Sequence, residues 1–262
     1  MTTGAPAHAA RFLRDAGTVT WDEARLSGAR LDPRVSRLLH VVAELEADTS
    51  ITTRHAHTLG IDRATDVAAF LPQWAAEEAE HARAIRVLLR HQTYDPPRTA
   101  SPSIQRHRRL VARVPRQMLG RLRATGLVYC TLGAAAEYVT VVVYRELVAM
   151  VDDPSVASLL REITRQERRH CAFLLAAARE RGSALSPGEA RLTRWVLTRM
   201  WEPPGVPSLG IDVWRDAFAP LIDDATLRAR VEKMDRIVDT IPHLAGMHLM
   251  GRFLTERVPL AA

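Results

Sequence analysis

An all-α fold, a four-helix bundle with further helices after it, follows from three observations on the sequence. Apolar residues recur at the three- and four-residue spacing of a helix, and the β-branched alternation of strands is scarce. Four long periodic stretches succeed one another, near residues 33–59, 63–92, 126–151 and 154–181. The punctuation belongs to helices too: Asp32-Pro33 and Asp153-Pro154 set a capping acid before a proline at the first helical position, and Ser186-Pro187-Gly188-Glu189 has the spacing of a capping box.

Taken in order, the residues up to about Ala29 carry only a weak helical pattern. In the second long helix Pro72 either kinks the helix or marks its true start. Pro96, Pro97, Pro102 and Pro115 interrupt residues 93–125, as expected of a long connection between the second and third bundle helices. Gly126 to Tyr144 is nearly all apolar and approaches the length of a bilayer span. It holds Glu137 at its middle, however, and the rest of the chain is polar, so a buried central helix is expected rather than a membrane span. Shorter helices near 187–201, 211–219 and 224–256 follow, with a break at Pro203, Pro204 and Pro207. One domain is expected, its core bundle at about 33–181 and a C-terminal helical extension at about 187–256.

With 262 residues, 47% of them hydrophobic and 25% charged, the chain can bury a sizeable core. Its two cysteines, Cys130 and Cys171, both fall within helical patterns, which argues against a disulfide scaffold or a cysteine-rich zinc site and fits a reducing cytoplasm. The N-terminal residues lack the charged and apolar regions of a secretory signal. Of the formal charge of +6, much sits between Asp95 and Glu137, where eight arginines and no acid occur. That run is either a dock for an anionic partner or a consequence of arginine being the chain's usual cation, with 35 arginines against the single Lys233.

Two Glu-x-x-His motifs stand out, Glu78 with His81 and Glu167 with His170. Residues three apart share a helix face, so each motif presents a carboxylate and an imidazole side by side, a donor set that iron or manganese accepts. About 0.6 such motifs would arise by chance in this composition, so the context has to discriminate. At heptad spacing the four core seams read Val35, Leu39, Val42, Glu46; Leu71, Trp74, Glu78, His81, Ile85, Leu88; Cys130, Ala134, Glu137, Val141, Tyr144; and Leu160, Ile163, Glu167, His170, Leu174. Every candidate ligand thus stands where an apolar residue belongs. Four buried carboxylates need cations, and their charge offsets two divalent metals with both imidazoles neutral. The alternative is a metal-free network of buried His–Glu pairs. Glu46 precedes Glu78 by 32 residues and Glu137 precedes Glu167 by 30, which suggests two related helix pairs. On the first helix the apolar stripe centres nearer Glu46 than Asp48, and Glu44 is farthest. Asp48 stays open because it shares a face with Val41 and Leu45.

An acid, Glu-x-x-His, an acid and a second Glu-x-x-His: the pattern resembles the ferritin-like di-iron carboxylate superfamily. The block from Trp74 to His81, Glu46-Ala47 and Glu137-Tyr138-Val139-Thr140 are similar to motifs of soluble acyl-carrier-protein desaturases. The resemblance, over about residues 35–200, implies an all-α ferritin-like four-helix bundle with additional C-terminal helices and a homodimer. It implies two iron ions, with manganese also suited, held by Glu46, Glu78, His81, Glu137, Glu167 and His170, with Thr140 relaying protons beside them. The activity implied is an oxygen-dependent oxidase supplied with electrons by a ferredoxin-like donor. It would desaturate or hydroxylate an acyl chain on an acyl carrier protein, an acidic partner for the arginine run. A helix threonine such as Thr140 equally bonds its own backbone. Gly133-Ala134-Ala135-Ala136 leaves room for an acyl chain or marks close helix packing. Gln166 departs from the desaturase pattern, which has aspartate there; an amide can still accept from the His81 ring. A rubrerythrin would call for a cysteine-rich rubredoxin segment, a ribonucleotide reductase small subunit for a tyrosine where Ile85 stands, and ferritins lack the second histidine pair. An oxygenase of specialised metabolism, acting on an amino acid or polyketide intermediate, is the alternative enzyme. An iron-storage protein and a homologue without turnover are the non-catalytic ones. No nucleic-acid partner is expected.

Overall fold

The computed structural model describes residues 6–96, 123–222 and 225–258, and among them every regular element is helical. The bundle consists of α3 (Pro33–Ala47), α5 (Thr65–Leu89), α6 (Arg123–Met150) and α7 (Pro154–Ser183). Its helix starts follow the sequence. Asp32 accepts from the amide of Arg34, and Asp153 from those of Ser155 and Val156, each ahead of its proline. Ser186 and Glu189 form the reciprocal capping box of α8 (Pro187–Met200).

The helices associate as two pairs, α6 with α7 over their whole length and α3 with α5. Apolar seams close both: Leu39, Ile85, Leu88, Leu127, Leu147, Leu160 and Ile163 are at most 1% exposed. Burying one such side chain contributes about 1.5–3 kcal/mol. Midway along α5, α6 and α7 and at the end of α3 the apolar side chains give way to carboxylates and imidazoles, and the two pairs meet there and at the Phe70–Phe173 stack. Helix α6 is long and apolar enough to cross a membrane by composition, but 56% of its apolar window is buried within the fold, against α7, α8 and α11 (Ala225–Val238).

Several boundaries differ from expectation. The single helix predicted over 33–59 is two, α3 and α4 (Thr49–Leu59), joined at Asp48. Helix α5 begins at Thr65, so Pro72 lies inside it and is not its start. The helix predicted over 224–256 divides into α11 and α12 (Leu249–Arg257), since His243, Gly246 and His248 take positive φ between them. Asp235 of α11 then accepts from the amides of Met250 and Gly251 and so caps α12 from a distance.

The weak N-terminal stretch is the largest departure. It forms α1 (Ala7–Arg14) and α2 (Glu23–Gly28), which lie on α5 and α7. Phe12, 2% exposed, inserts among Phe70, Phe173 and the His170 ring. Trp21 donates to Glu80 at 3.0 Å beneath the Arg83 guanidinium. The arginine-rich connection falls on residues 97–122, apart from Arg98's neighbours up to Pro96 and the described Arg123, and so lies outside the described residues.

Candidate metal centre

Each bundle helix brings one turn of polar side chains to the level where the pairs meet. Helix α3 supplies Glu46, α5 supplies Glu78 and His81, α6 supplies Glu137, and α7 supplies Glu167 and His170; all are buried, both histidines and Glu167 completely. Donor atoms of Glu46, Glu78, His81 and Glu167 lie within 4.8 Å of one another, and so do those of Glu78, Glu137, Glu167 and His170. Glu78 and Glu167 belong to both groups. Of the acids near Glu46, Glu44 points outward to Arg86 at 3.0 Å and Asp48 ends α3.

The contacts converge without being hydrogen bonds. His81 Nδ1 is 2.9 Å from Glu167 Oε1, and His170 Nδ1 is 3.0 Å from Glu78 Oε1. Even so, both Nδ1 atoms, Glu78 Oε1 and both Glu167 oxygens are buried with no hydrogen-bond partner. Buried polar atoms left unpaired cost about 1–3 kcal/mol each, more when charged. Five of them aimed at one space form a donor set, and nitrogen and carboxylate oxygen in that mixture suit iron or manganese. The residues present therefore fit the two-metal centre.

The outer atoms of the same side chains are held firmly. His81 Nε2 donates to Gln166 Oε1 at 2.7 Å, and the Gln166 amide nitrogen donates to the Gly17 carbonyl, also at 2.7 Å. Because the amide must present its NH₂ to that carbonyl, its oxygen faces the ring, and His81 turns Nδ1 to the interior. His170 Nε2 donates to Glu77 at 2.7 Å, and Glu77 also accepts from Arg169 and, at 2.7 Å, from Gln73. The residue preceding each motif's glutamate thus holds the other motif's histidine, Glu77 holding His170 and Gln166 holding His81. Trp74 Nε1 donates to Glu137 at 3.0 Å, and the Tyr144 hydroxyl donates to Glu46 at 2.5 Å.

Protonation follows from this crowding. Burial together with Glu167 and Glu46 pushes Glu78 well above the usual carboxylate range, and burial with Glu167 does the same to Glu137. Burial works against charge on His81, but Glu167 and Glu46 facing its ring raise it to about 10; His170 is likewise raised by its ring of acids. Glu167 is lowered in spite of burial by both imidazoles. Outside the cluster, burial opposes ionisation of Glu77, yet His170, Arg169 and Gln73 hold it at about 2. Without metal, protons thus supply the positive charge that the carboxylates require.

Sequence reasoning missed Glu77, Arg169, Trp74 and Tyr144 as partners of the cluster. The heptad pattern places Trp74 and Tyr144 on the apolar seams, but a buried indole N–H or phenol O–H needs an acceptor, and the nearby carboxylates are the available signal. Thr140 is half-buried on α6, its hydroxyl donating to the Ala136 carbonyl at 3.2 Å. The small run before Glu137 packs closely: a Cβ on Gly133 would come 3.0 Å from Leu174 Cδ1, and Ala134 and Ala135 are 2% exposed.

Among curated proteins and among solved structures, no match to the chain was found. A family model, Rubrerythrin, matches residues 44–178, from the end of α3 through most of α7, and spans all six clustered residues. The match corrects the expectation that a rubrerythrin would call for a cysteine-rich rubredoxin segment, because it rests on the helical bundle, where Cys130 and Cys171 are both buried. With the matched span covering more than half of the sequence and its helices meeting at a buried carboxylate–histidine cluster, the chain belongs to the rubrerythrin family of ferritin-like di-iron carboxylate proteins.

Proposed function

We propose that this protein is a di-iron, oxygen-dependent oxidoreductase. Glu46, Glu78, His81, Glu137, Glu167 and His170 would hold the irons, with Glu78 and Glu167 belonging to both groups of donors. The observation that carries this reading is the set of five buried donor atoms, all unpaired and all turned toward one space. Two ferrous ions bound there supply two electrons to dioxygen.

The surrounding residues define what the chain itself contributes. Gln166 and Glu77 orient the imidazoles, and Trp74 and Tyr144 fix the outer oxygens of Glu137 and Glu46, so each terminal carboxylate keeps one oxygen for the interior. Phe12, Phe70 and Phe173 exclude water from the His170 side. Thr140, one turn after Glu137, is the candidate for proton delivery, for which its hydroxyl would have to leave the Ala136 carbonyl. A ferredoxin-like protein is the proposed electron donor. The finer substrate reading is an acyl chain on an acyl carrier protein, with a small molecule of specialised metabolism as the alternative. The packing of Leu174 against Gly133 offers no support for an acyl channel beside Glu137.

An anaerobic ferrous titration with metal analysis, followed by oxygen-uptake measurement, tests the proposal on the wild type and on Glu137→Ala. Near two irons per chain and oxygen uptake, both lost or halved in the variant, are expected. A folded wild-type chain that takes up no iron overturns it.

A further inference from the structure

On the outer side of the α6/α7 pair lies a surface cleft of about 350 Å³ lined by Arg145, Val148, Arg161, Thr164, Arg165 and Arg168. Four of these six residues are arginines, drawn from both helices, and none is an acid. Arg165 pairs with Glu162 at 2.5 Å, whereas Arg145, Arg161 and Arg168 have no carboxylate partner among the described residues. Elsewhere arginines cross between helices to reach acids, as Arg37 does to Asp216, Arg86 to Glu44 and Arg230 to Glu146. In the cleft, Arg161, Arg165 and Arg168 instead occupy positions i, i+4 and i+7 of α7, one stripe of like charges that weakens the helix in isolation.

The lining offers donors and almost no acceptor. Each guanidinium carries five N–H groups in a planar fork, and the one lining hydroxyl, that of Thr164, is committed as a donor to the Leu160 carbonyl at 2.6 Å. A guanidinium fork matches two oxygens of a phosphate group. Val148 adds an apolar wall beside this donor array. With Glu162 offsetting one of the four guanidiniums, three positive charges face the cleft, which matches the charge of a diphosphate group. The volume lies at the small end of the range for ligand sites, enough for such a group and a short attached body.

We propose that the Arg145–Arg161–Arg165–Arg168 cleft binds the diphosphate group of a small phosphorylated molecule. The occupant would lie against the outer face of α7, within a turn of Glu167, whose side chain enters the metal cluster from the inner face. The proposal needs neither metal nor oxygen chemistry, so it stands or falls apart from the redox reading.

Calorimetric titration of inorganic pyrophosphate into the full chain at low ionic strength is the test. It is repeated on Arg145→Gln/Arg161→Gln and on a control of equal charge, Arg34→Gln/Arg191→Gln. Saturable one-to-one binding is expected, weakened at least about tenfold in the cleft variant and retained in the control, with circular dichroism and ferrous uptake unchanged in both. No saturable binding overturns the proposal, as does equal weakening in the two variants, which would reduce the effect to overall charge. Tighter binding of a polyglutamate peptide than of pyrophosphate also overturns it, in favour of a dock for an acidic protein.

Discussion

Each histidine of the cluster is fixed through one ring nitrogen, which decides what the other nitrogen is free to do. For His81 the fixing group is a neutral amide anchored to the Gly17 carbonyl; for His170 it is a carboxylate that Arg169 also engages. The two imidazoles therefore differ in basicity although their motifs are alike, His170 being the more polarised toward donating to a metal. Substituting Gln166→Leu leaves the His81 Nε2–H without an acceptor in a buried site. Ferrous affinity at that position is expected to fall by about 10–100-fold, with Gln166→Glu retaining it. Anaerobic titration of the two variants checks this, and an unchanged affinity in Gln166→Leu contradicts it.

Among the elements, α1 contributes most beyond expectation. It closes the end of the bundle where Asp66, near the start of α5, meets Arg181, near the end of α7, through two bonds of 2.8 and 2.9 Å, and His8 of α1 adds a third contact at 3.1 Å. Burial works against the Asp66 carboxylate, but Arg181 and His8 hold it at about 2, below the usual carboxylate range. An acid lowered in this way contributes stability above its unfolded pKa and loses it as pH falls through the folded one. The window is therefore about pH 4 to 2, and the contribution about 2 kcal/mol. Thermal melts of Asp66→Asn should lie below those of the wild type at pH 6, with the gap closing as pH approaches 2. A gap that persists at pH 2 would assign the loss to packing instead.

At the scale of the whole molecule, two helix pairs with well-filled apolar seams enclose four carboxylates that neither pair could bury alone. Cations should consequently stabilise the assembled fold rather than any single helix. Ferrous ion at about a thousand times its dissociation constant adds ~4 kcal/mol by mass action, or roughly 10 °C in Tm for a chain of this size. Anaerobic calorimetry measures the shift, which Glu137→Ala should diminish. Equal melting temperatures with and without iron would count against a metal centre shared by the two pairs.

The sequence by itself determined the helical class, the four bundle helices, the capped starts of α3, α7 and α8, and the turn on each bundle helix that carries the polar cluster. All of these are local, set by 3.6-residue periodicity, by capping chemistry and by the cost of a carboxylate on an apolar seam. The resemblance already sets Gln166 against the His81 ring; only the tertiary structure decided that Glu77 holds His170, that Trp74 and Tyr144 bind carboxylates, and that Phe12 and Gly17 reach the site from a segment of weak pattern. It also decided that the helix predicted over 33–59 breaks at Asp48. Those outcomes join residues as far apart in sequence as Phe12 and His170, and no local spacing encodes a partner that comes within reach only when the helices have packed.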